Sequence, residues 1–195
     1  VLVRLIAARD VTPARAAFAA VTPHTIAKLL FTSGSTGQPK GVINTHHMLC
    51  TNQQAKAQVW PFLADTPPTI VDWLPWSHTF GGNHNFNMVL AHGGSLYIDE
   101  GRPAPGLIDK TVRNLREVKP NFYFNVPRGF DMLLPYLEQD ESFARDFFGR
   151  LEGVFYAGAA LPQSLWERLE GVARRVRERP VWFTSAWGAT ESSPA

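Results

Sequence analysis

The sequence predicts an α/β fold, a largely parallel sheet flanked by helices in three layers. Three observations predict it. Short apolar runs of four to seven residues alternate with longer amphipathic stretches along most of the 195 residues. The amphipathic stretches are long enough to be the crossovers that parallel strands need. Three loops rich in small or polar residues, after Phe31, Tyr156 and Phe183, each come directly after a strand-like run, where ligands sit in open α/β sheets.

From the N-terminus, the alanine-rich stretch 14–20 reads as a short helix. Residues 26–31 read as a buried strand, and Val42 and Ile43 continue extended beyond the next loop. Residues 46–59 form a helix that Pro61 ends, and the β-branched and apolar residues 69–74 form a strand. A helix over 83–91 is stopped by Gly93 and Gly94, and 95–98 is a short strand. Leu107, Ile108, Thr111, Val112, Leu115 and Val118 recur at helical spacing. A strand over 122–126 precedes Pro127, and a helix over 130–137 breaks near Asp140. Residues 154–156 are a strand. Leu165, Trp166, Leu169, Val172, Ala173 and Val176 mark one helix face, with Pro162 in the first turn, where its missing donor is harmless. Residues 181–183 are the last strand.

Composition narrows the classes. A formal charge of +2 is too small for a nucleic-acid binder, and no apolar run reaches the ~20 residues that span a bilayer. One cysteine, Cys50, excludes an internal disulfide framework and fits a reducing, cytoplasmic setting. Five of the six histidines, His46, His47, His78, His84 and His92, match no compact zinc spacing. The run Arg174, Arg175, Arg177, Arg179 lies at a helix carboxyl end, where cations oppose the macrodipole, and reads as a solvated face. The missing initiator Met and the stop in ATESSPA read as an excised piece.

The loop in LLFTSGSTGQPKG, residues 29–41, carries four hydroxyls, three glycines and one lysine. Phosphate oxygens favour donors without bulk. Glycine lets backbone amides approach, Ser and Thr add hydroxyls, and one Lys adds charge. Thr32, Ser33, Gly34, Ser35, Thr36, Gly37 and Lys40 meet that requirement. A Walker A loop needs Lys followed by Ser or Thr, and Lys40 is followed by Gly41. The nucleophile-elbow spacing is absent around Ser33 and Ser35.

Within it the ten residues 32–41, TSGSTGQPKG, resemble the signature loop of the adenylate-forming superfamily, which includes acyl- and aryl-CoA synthetases, luciferases and peptide-synthetase adenylation domains. Three further segments resemble its companion motifs in order. LPWSHTFGG, residues 74–82, is similar to the motif with a residue between acyl pocket and thiol tunnel, which makes His78, Gly81 and Gly82 the gate. YAGAAL, residues 156–161, is similar to the wall for adenine and acyl group, with Gly158, Ala159 and Ala160 leaving room for a flat ring. WGATE, residues 187–191, is similar to the aromatic-Gly-x-Thr-Glu motif.

The resemblance implies ATP, Mg²⁺ and CoA as ligands and a small carboxylic acid as substrate. Trp187 and Gly188 would face the adenine. Lys40, Thr190 and Glu191 would be catalytic, and Glu191 and Thr36 would serve the metal. VDWLPWSHTFGGNHNFN and YFNVPRGFDMLLPYLE look most like feruloyl-CoA synthases, which implies ferulate or a related aryl acid, with medium-chain fatty acids also open. The implied domain is 1–195 as part of the N-terminal AMP-binding domain, without the C-terminal domain, so little ligase activity is expected of this chain alone. Two other classes stay open: a non-catalytic nucleotide-binding module, and an adenylation domain that loads a carrier protein. Oligomeric state is not written in these features.

Overall fold

The computed structural model describes residues 10–32 and 37–192. The chain divides into two compact units, residues 1–50 and 51–195.

In the first unit, α1 (Thr12–Ala19) begins with Pro13 in its first turn. It is followed by β1 (Ile26–Thr32) and β2 (Lys40–Thr45), which pair antiparallel with Thr32 opposite Lys40. The apolar run 26–31 predicts a buried strand. Only Leu30 is buried; Leu29 is 52% and Phe31 70% exposed. The two-residue pleat explains the difference, because Leu29 and Phe31 point to the face opposite Leu30. The Phe31 ring lies across its cross-strand partner Gly41, where a Cβ would meet it at 3.4 Å. α2 (His46–Val59) matches the predicted helix, beginning in the first unit and ending in the second.

The second unit holds the parallel strands. β3 (Thr69–Asp72) pairs with β4 (Ser95–Ile98). β5 (Phe122–Asn125), β6 (Gly153–Tyr156) and β7 (Trp182–Ser185) form a second parallel set in that order. β3 runs beside β5: the Asn121 N–H donates to Thr69 O at 3.1 Å, and the Thr69 N–H donates to Asn121 Oδ1 at 2.6 Å. Register aligns Asn125, Tyr156 and Ser185 in one row at the carboxyl ends.

Strand alternation sorts the core into two layers. Val71, Tyr123 and Val154 face α4 (Ile108–Val118), α5 (Pro127–Gln139), α6 (Glu141–Gly149) and α7 (Gln163–Val176). Ile70, Phe122, Phe124 and Phe155 face the other way. There they pack with Trp60, Leu63 of the short 3₁₀ turn Pro61–Ala64, and Met88 and Val89 of α3 (Asn87–Ala91).

Three elements depart from the sequence pattern. The segment expected as a helix over 83–91 starts earlier, as a π-helical stretch Phe80–Phe86 that passes into α3. The helix around 130–137 begins at Pro127, which tolerates the N-terminal turn, and contains Pro135. Asp140 is less a break than a junction. It comes after α5, and its side chain accepts the Phe143 N–H at 2.9 Å to cap α6, a helix that the sequence pattern did not show. The arginine run is also more than a solvated face. Arg177 donates to the carbonyls of Phe148 and Leu151 at 2.7 and 2.6 Å, and Arg179 grips both oxygens of Glu152 at 2.8 and 2.9 Å. These contacts tie the end of α7 to the link between α6 and β6.

Candidate functional site

A cleft of about 940 Å³ opens at the carboxyl ends of β3, β5, β6 and β7. Each strand delivers the loop at its end. Residues 73–75 and 78–80 form one wall, Val126 and residues 156–160 the floor, and residues 185–190 the opposite wall. The in-register strand ends place these loops side by side.

The floor is shaped by Gly158. Its φ of +89° lies in the left-handed region, which strains any side chain. Ala159 and Ala160, both exposed, keep the surface low. On the wall at 185–190, the Trp187 indole is 90% exposed. Gly188 and Thr190 continue along the cleft, and Glu191 is exposed one residue beyond. A short turn holds this wall: the Ala189 N–H donates to Ser192 Oγ at 3.0 Å, and the Ser192 N–H donates to Ala189 O at 3.1 Å.

On the facing wall, His78 is exposed on the cleft. Its Nδ1 accepts the Phe80 N–H at 3.1 Å, which leaves Nε2 as the protonated nitrogen of the neutral ring. Gly81 and Gly82, grouped with His78 by sequence, are buried and are not among the residues lining the cleft. Gly81 has a steric reason for being glycine: a Cβ there would sit 2.6 Å from the carbonyl oxygens of Leu74 and Pro75.

Two buried side chains without a sequence signal brace this wall. Asn125 Oδ1 accepts the Trp73 indole N–H at 3.2 Å and the Val126 N–H at 2.8 Å. Its Nδ2 donates to Tyr123 Oη at 2.7 Å. Gly129 makes room for this carboxamide, since a Cβ there would lie 2.1 Å from Asn125 Oδ1. Asp72 accepts the Leu74 N–H on Oδ1 at 3.0 Å and Asn85 Nδ2 on Oδ2 at 2.9 Å. Burial pushes the Asp72 carboxyl up to about 6, against the pull of the Asn85 and Leu74 hydrogen bonds. Behind it, His84 Nδ1 lies 2.8 Å from Asn85 Oδ1, and the Lys56 ammonium donates to His84 O at 3.0 Å. Burial brings Lys56 down to about 7. Burial, then the Lys56 charge, holds His84 well below the usual imidazole range.

Of the phosphate-loop residues, Ser33, Gly34, Ser35 and Thr36 lie outside the described residues. Thr32 ends β1 half-buried, Gly37 is exposed with φ +79°, and Lys40 opens β2 exposed. Among the described residues no group of three or more His, Cys, Asp or Glu stands ready for a metal ion. Glu191 alone fits only an ion that arrives with most of its oxygen ligands, as Mg²⁺ does on nucleotide phosphates.

Residues 5–195 match the model of the family described as AMP-binding enzyme. The chain belongs to that family. It is 33% identical over 180 residues to the acyl-CoA ligase sidI of Beauveria bassiana, covering 89% of this chain and 28% of that protein. It is 29% identical over 168 residues to a long-chain-fatty-acid–CoA ligase of Yersinia pestis, covering 85% of this chain and 27% of that one. Its fold is similar to a malonyl-CoA ligase solved as a ternary product complex with methylmalonyl-CoA and AMP bound. The TM-score is 0.73 at 24% identity, over 90% of this chain and 35% of that one. The chain thus spans about a third or less of the length of these relatives. No helix among the described residues is long and apolar enough to cross a membrane.

Proposed function

We propose that the protein activates a carboxylic acid with ATP and passes the acyl group to the thiol of CoA. The observation that supports this reading is that three sequence motifs each send residues to one cleft at the strand ends: 74, 75 and 78–80 from the first, 156–160 from the second and 187–190 from the third. In the first half-reaction a carboxylate oxygen attacks the α-phosphorus of ATP. The bond to the bridging oxygen breaks, pyrophosphate leaves, and an acyl-adenylate remains. In the second, the thiol sulfur attacks the acyl carbonyl and AMP leaves with the electron pair of the broken C–O bond. These are the proposed reactions of the longer protein, with this chain as part of its AMP-binding domain and inactive on its own.

The residues divide the work. The exposed Trp187 indole offers a face for adenine, and the flat floor at 158–160 lets a ring lie against backbone. Thr190 offers a hydroxyl to the α-phosphate. Residues 32–37 and Lys40 are assigned to the phosphates on the sequence motif alone. His78 faces the acid, where its Nε2–H is free to donate to a carboxylate. Glu191 and Thr36 would serve Mg²⁺, which supplies charge neutralisation on the phosphates. The mixed anhydride hydrolyses readily, so a covered cleft favours thioester over free acid.

For the acid, an aryl compound such as ferulate is the first choice. The resemblance points there, and Trp73, Phe80 and Tyr156 give the cleft an aromatic lining. The test is to incubate the full-length protein with ATP, Mg²⁺ and CoA against ferulate, other aryl acids and fatty acids of several lengths. AMP and an acyl-CoA thioester in equal amounts are expected with at least one acid, and most rapidly with an aryl acid. Binding of ATP with no AMP formed from any acid would instead fit a non-catalytic nucleotide module. Transfer only to a pantetheinylated carrier protein would replace CoA as acceptor.

A further inference from the structure

The cleft wall that carries His78 runs out from the end of β3 and returns through the π-helical stretch. Both of its ends are held by one buried carboxylate. Asp72 is 4% exposed and Asn85 0%. Neither is among the residues lining the cleft. Asp72 Oδ1 receives the Leu74 N–H where the wall begins, and Oδ2 receives Asn85 Nδ2 thirteen residues later. Within this closed segment, the backbone turns on itself at His78. The His78 N–H donates to Pro75 O at 3.0 Å and the Gly82 N–H donates to His78 O at 2.8 Å. Trp76 and Phe86 bring their rings to 4.9 Å and close the outer side.

The hydrogen-bond sense along the chain of groups is fixed. Asn85 donates through Nδ2 to a carboxylate, so its Oδ1 accepts, and the proton between it and His84 sits on His84 Nδ1. His84 O in turn receives the Lys56 ammonium. The wall is therefore anchored to α2 through an uninterrupted series: Leu74, Asp72, Asn85, His84, Lys56. Apolar residues of similar size would fill this space without the loss of solvation that burying a carboxylate and an ammonium entails. What such residues would lack is direction. A carboxylate with two oxygens, each facing one donor, sets the distance and angle between the two ends of the wall.

We propose that Asp72 and Asn85 are positioning residues, a clasp that fixes the His78-bearing wall of the cleft in its ligand-ready shape. They act through Leu74 and the π-helical turn, not by touching a ligand. The functional part of this proposal rests on the reading of the cleft as the acid and nucleotide site; the clasp itself does not.

The test is an exchange of the two side chains in the full-length protein. Asp72→Asn sets an amide NH₂ against the NH₂ of Asn85, a clash relieved only if the Asn85 amide and the His84 tautomer invert together. Asn85→Asp sets two carboxylates against each other. The double variant Asp72→Asn/Asn85→Asp restores every bond: residue 72 still accepts the Leu74 N–H and now donates to residue 85, whose other oxygen still accepts from His84. Amide hydrogen exchange is the first readout and needs no activity. Each single variant is expected to exchange roughly tenfold faster across residues 73–82, with β5 and β6 unchanged, and the double variant to return to wild type. The second readout is kinetic. The single variants are expected to lose roughly tenfold in kcat/KM for the acid, largely through KM, and the double variant to recover most of it.

Exchange that rises equally in β5 and β6 would overturn the proposal, because the pair would then hold the fold at large. So would an Asn85→Asp variant that exchanges like wild type, or a double variant that does not recover. If the single variants fail to fold, a folded double variant with wild-type exchange supports the clasp, and an unfolded one overturns it. A wild-type protein that forms no AMP from any acid removes the proposed ligase function while leaving the exchange comparison to decide the clasp.

Discussion

The two walls of the cleft are built on opposite plans. The wall at 73–80 is backed by buried polar groups whose bonds are made within the protein: Asp72, Asn85 and Asn125 each serve two or more partners. The wall at 185–190 rests on one local turn and presents an indole that is 90% exposed. One wall has its backbone ends tied before any ligand arrives, although Thr79 Oγ1 within it is buried without a partner. The other keeps its largest apolar surface in water, and covering that surface is favourable by ~25 cal/mol per Å². On the proposed reading, ligand would meet a surface held by internal bonds on one side and gain affinity by covering the indole on the other.

Substitutions that treat the two walls alike sharpen this contrast. The largest effect is expected at Gly81. A methyl group at Gly81 must displace the backbone carbonyls of Leu74 and Pro75, so Gly81→Ala should lower unfolding free energy by about 2–3 kcal/mol in a denaturant titration. A loss under about 0.5 kcal/mol would show that the first wall yields as readily as the second.

Next is Trp187→Ala. Its stability should match wild type within about 0.5 kcal/mol, since the ring gives up little on truncation. Nucleotide affinity, measured by calorimetry, should fall by about 1–2 kcal/mol, or roughly five- to thirtyfold. The reverse result, a stability loss with affinity intact, would make the indole a structural group and erase the distinction.

The smallest and most diagnostic effect concerns pH. Lys56 has a folded-state pKa brought down to about 7 from an ordinary 10.5. Between these values the unfolded chain binds more protons than the folded one, so stability should rise as pH increases from 7 towards 10. Asp72 works in the other direction and lower. Its raised pKa makes the folded form bind more protons between about 4 and 6, so stability falls as pH rises through that window. Comparing wild type with Lys56→Met between pH 7 and 8 should show a gain of order 1 kcal/mol in wild type alone. Parallel curves would mean that the ammonium behind the first wall reaches water.

Much of the frame was legible because it arises from periodicity. The helix 46–59 ends where Trp60 and Pro61 stop it, and the strand before each motif loop is a short apolar run. α6 was missed because Asp140 reads equally as a terminator and as a cap, and only the Phe143 amide decides between them. The exposed face of β1 was missed because a run such as LLF says nothing about which residues a pleat turns outward. In the cleft, the residues that reach its surface were legible as motifs. The bracing residues were not. A lone Asp at a strand end and an Asn-His-Asn run look like ordinary loop polarity, and their meaning lies in a contact across thirteen positions. Gly81 is legible as part of a motif, but its steric constraint, the space beneath two carbonyls, is not.

The common row formed by Asn125, Tyr156 and Ser185 has a consequence for anyone who would rebuild this protein. Loops grafted from a relative inherit their aim from the length of the strand beneath them. Inserting or deleting a single residue in β5, β6 or β7 would rotate the next side chain to the far face and swing its loop off the cleft. New specificities are therefore to be sought by exchanging the loop residues beyond position 125, 156 or 185, with the count of residues up to each left untouched.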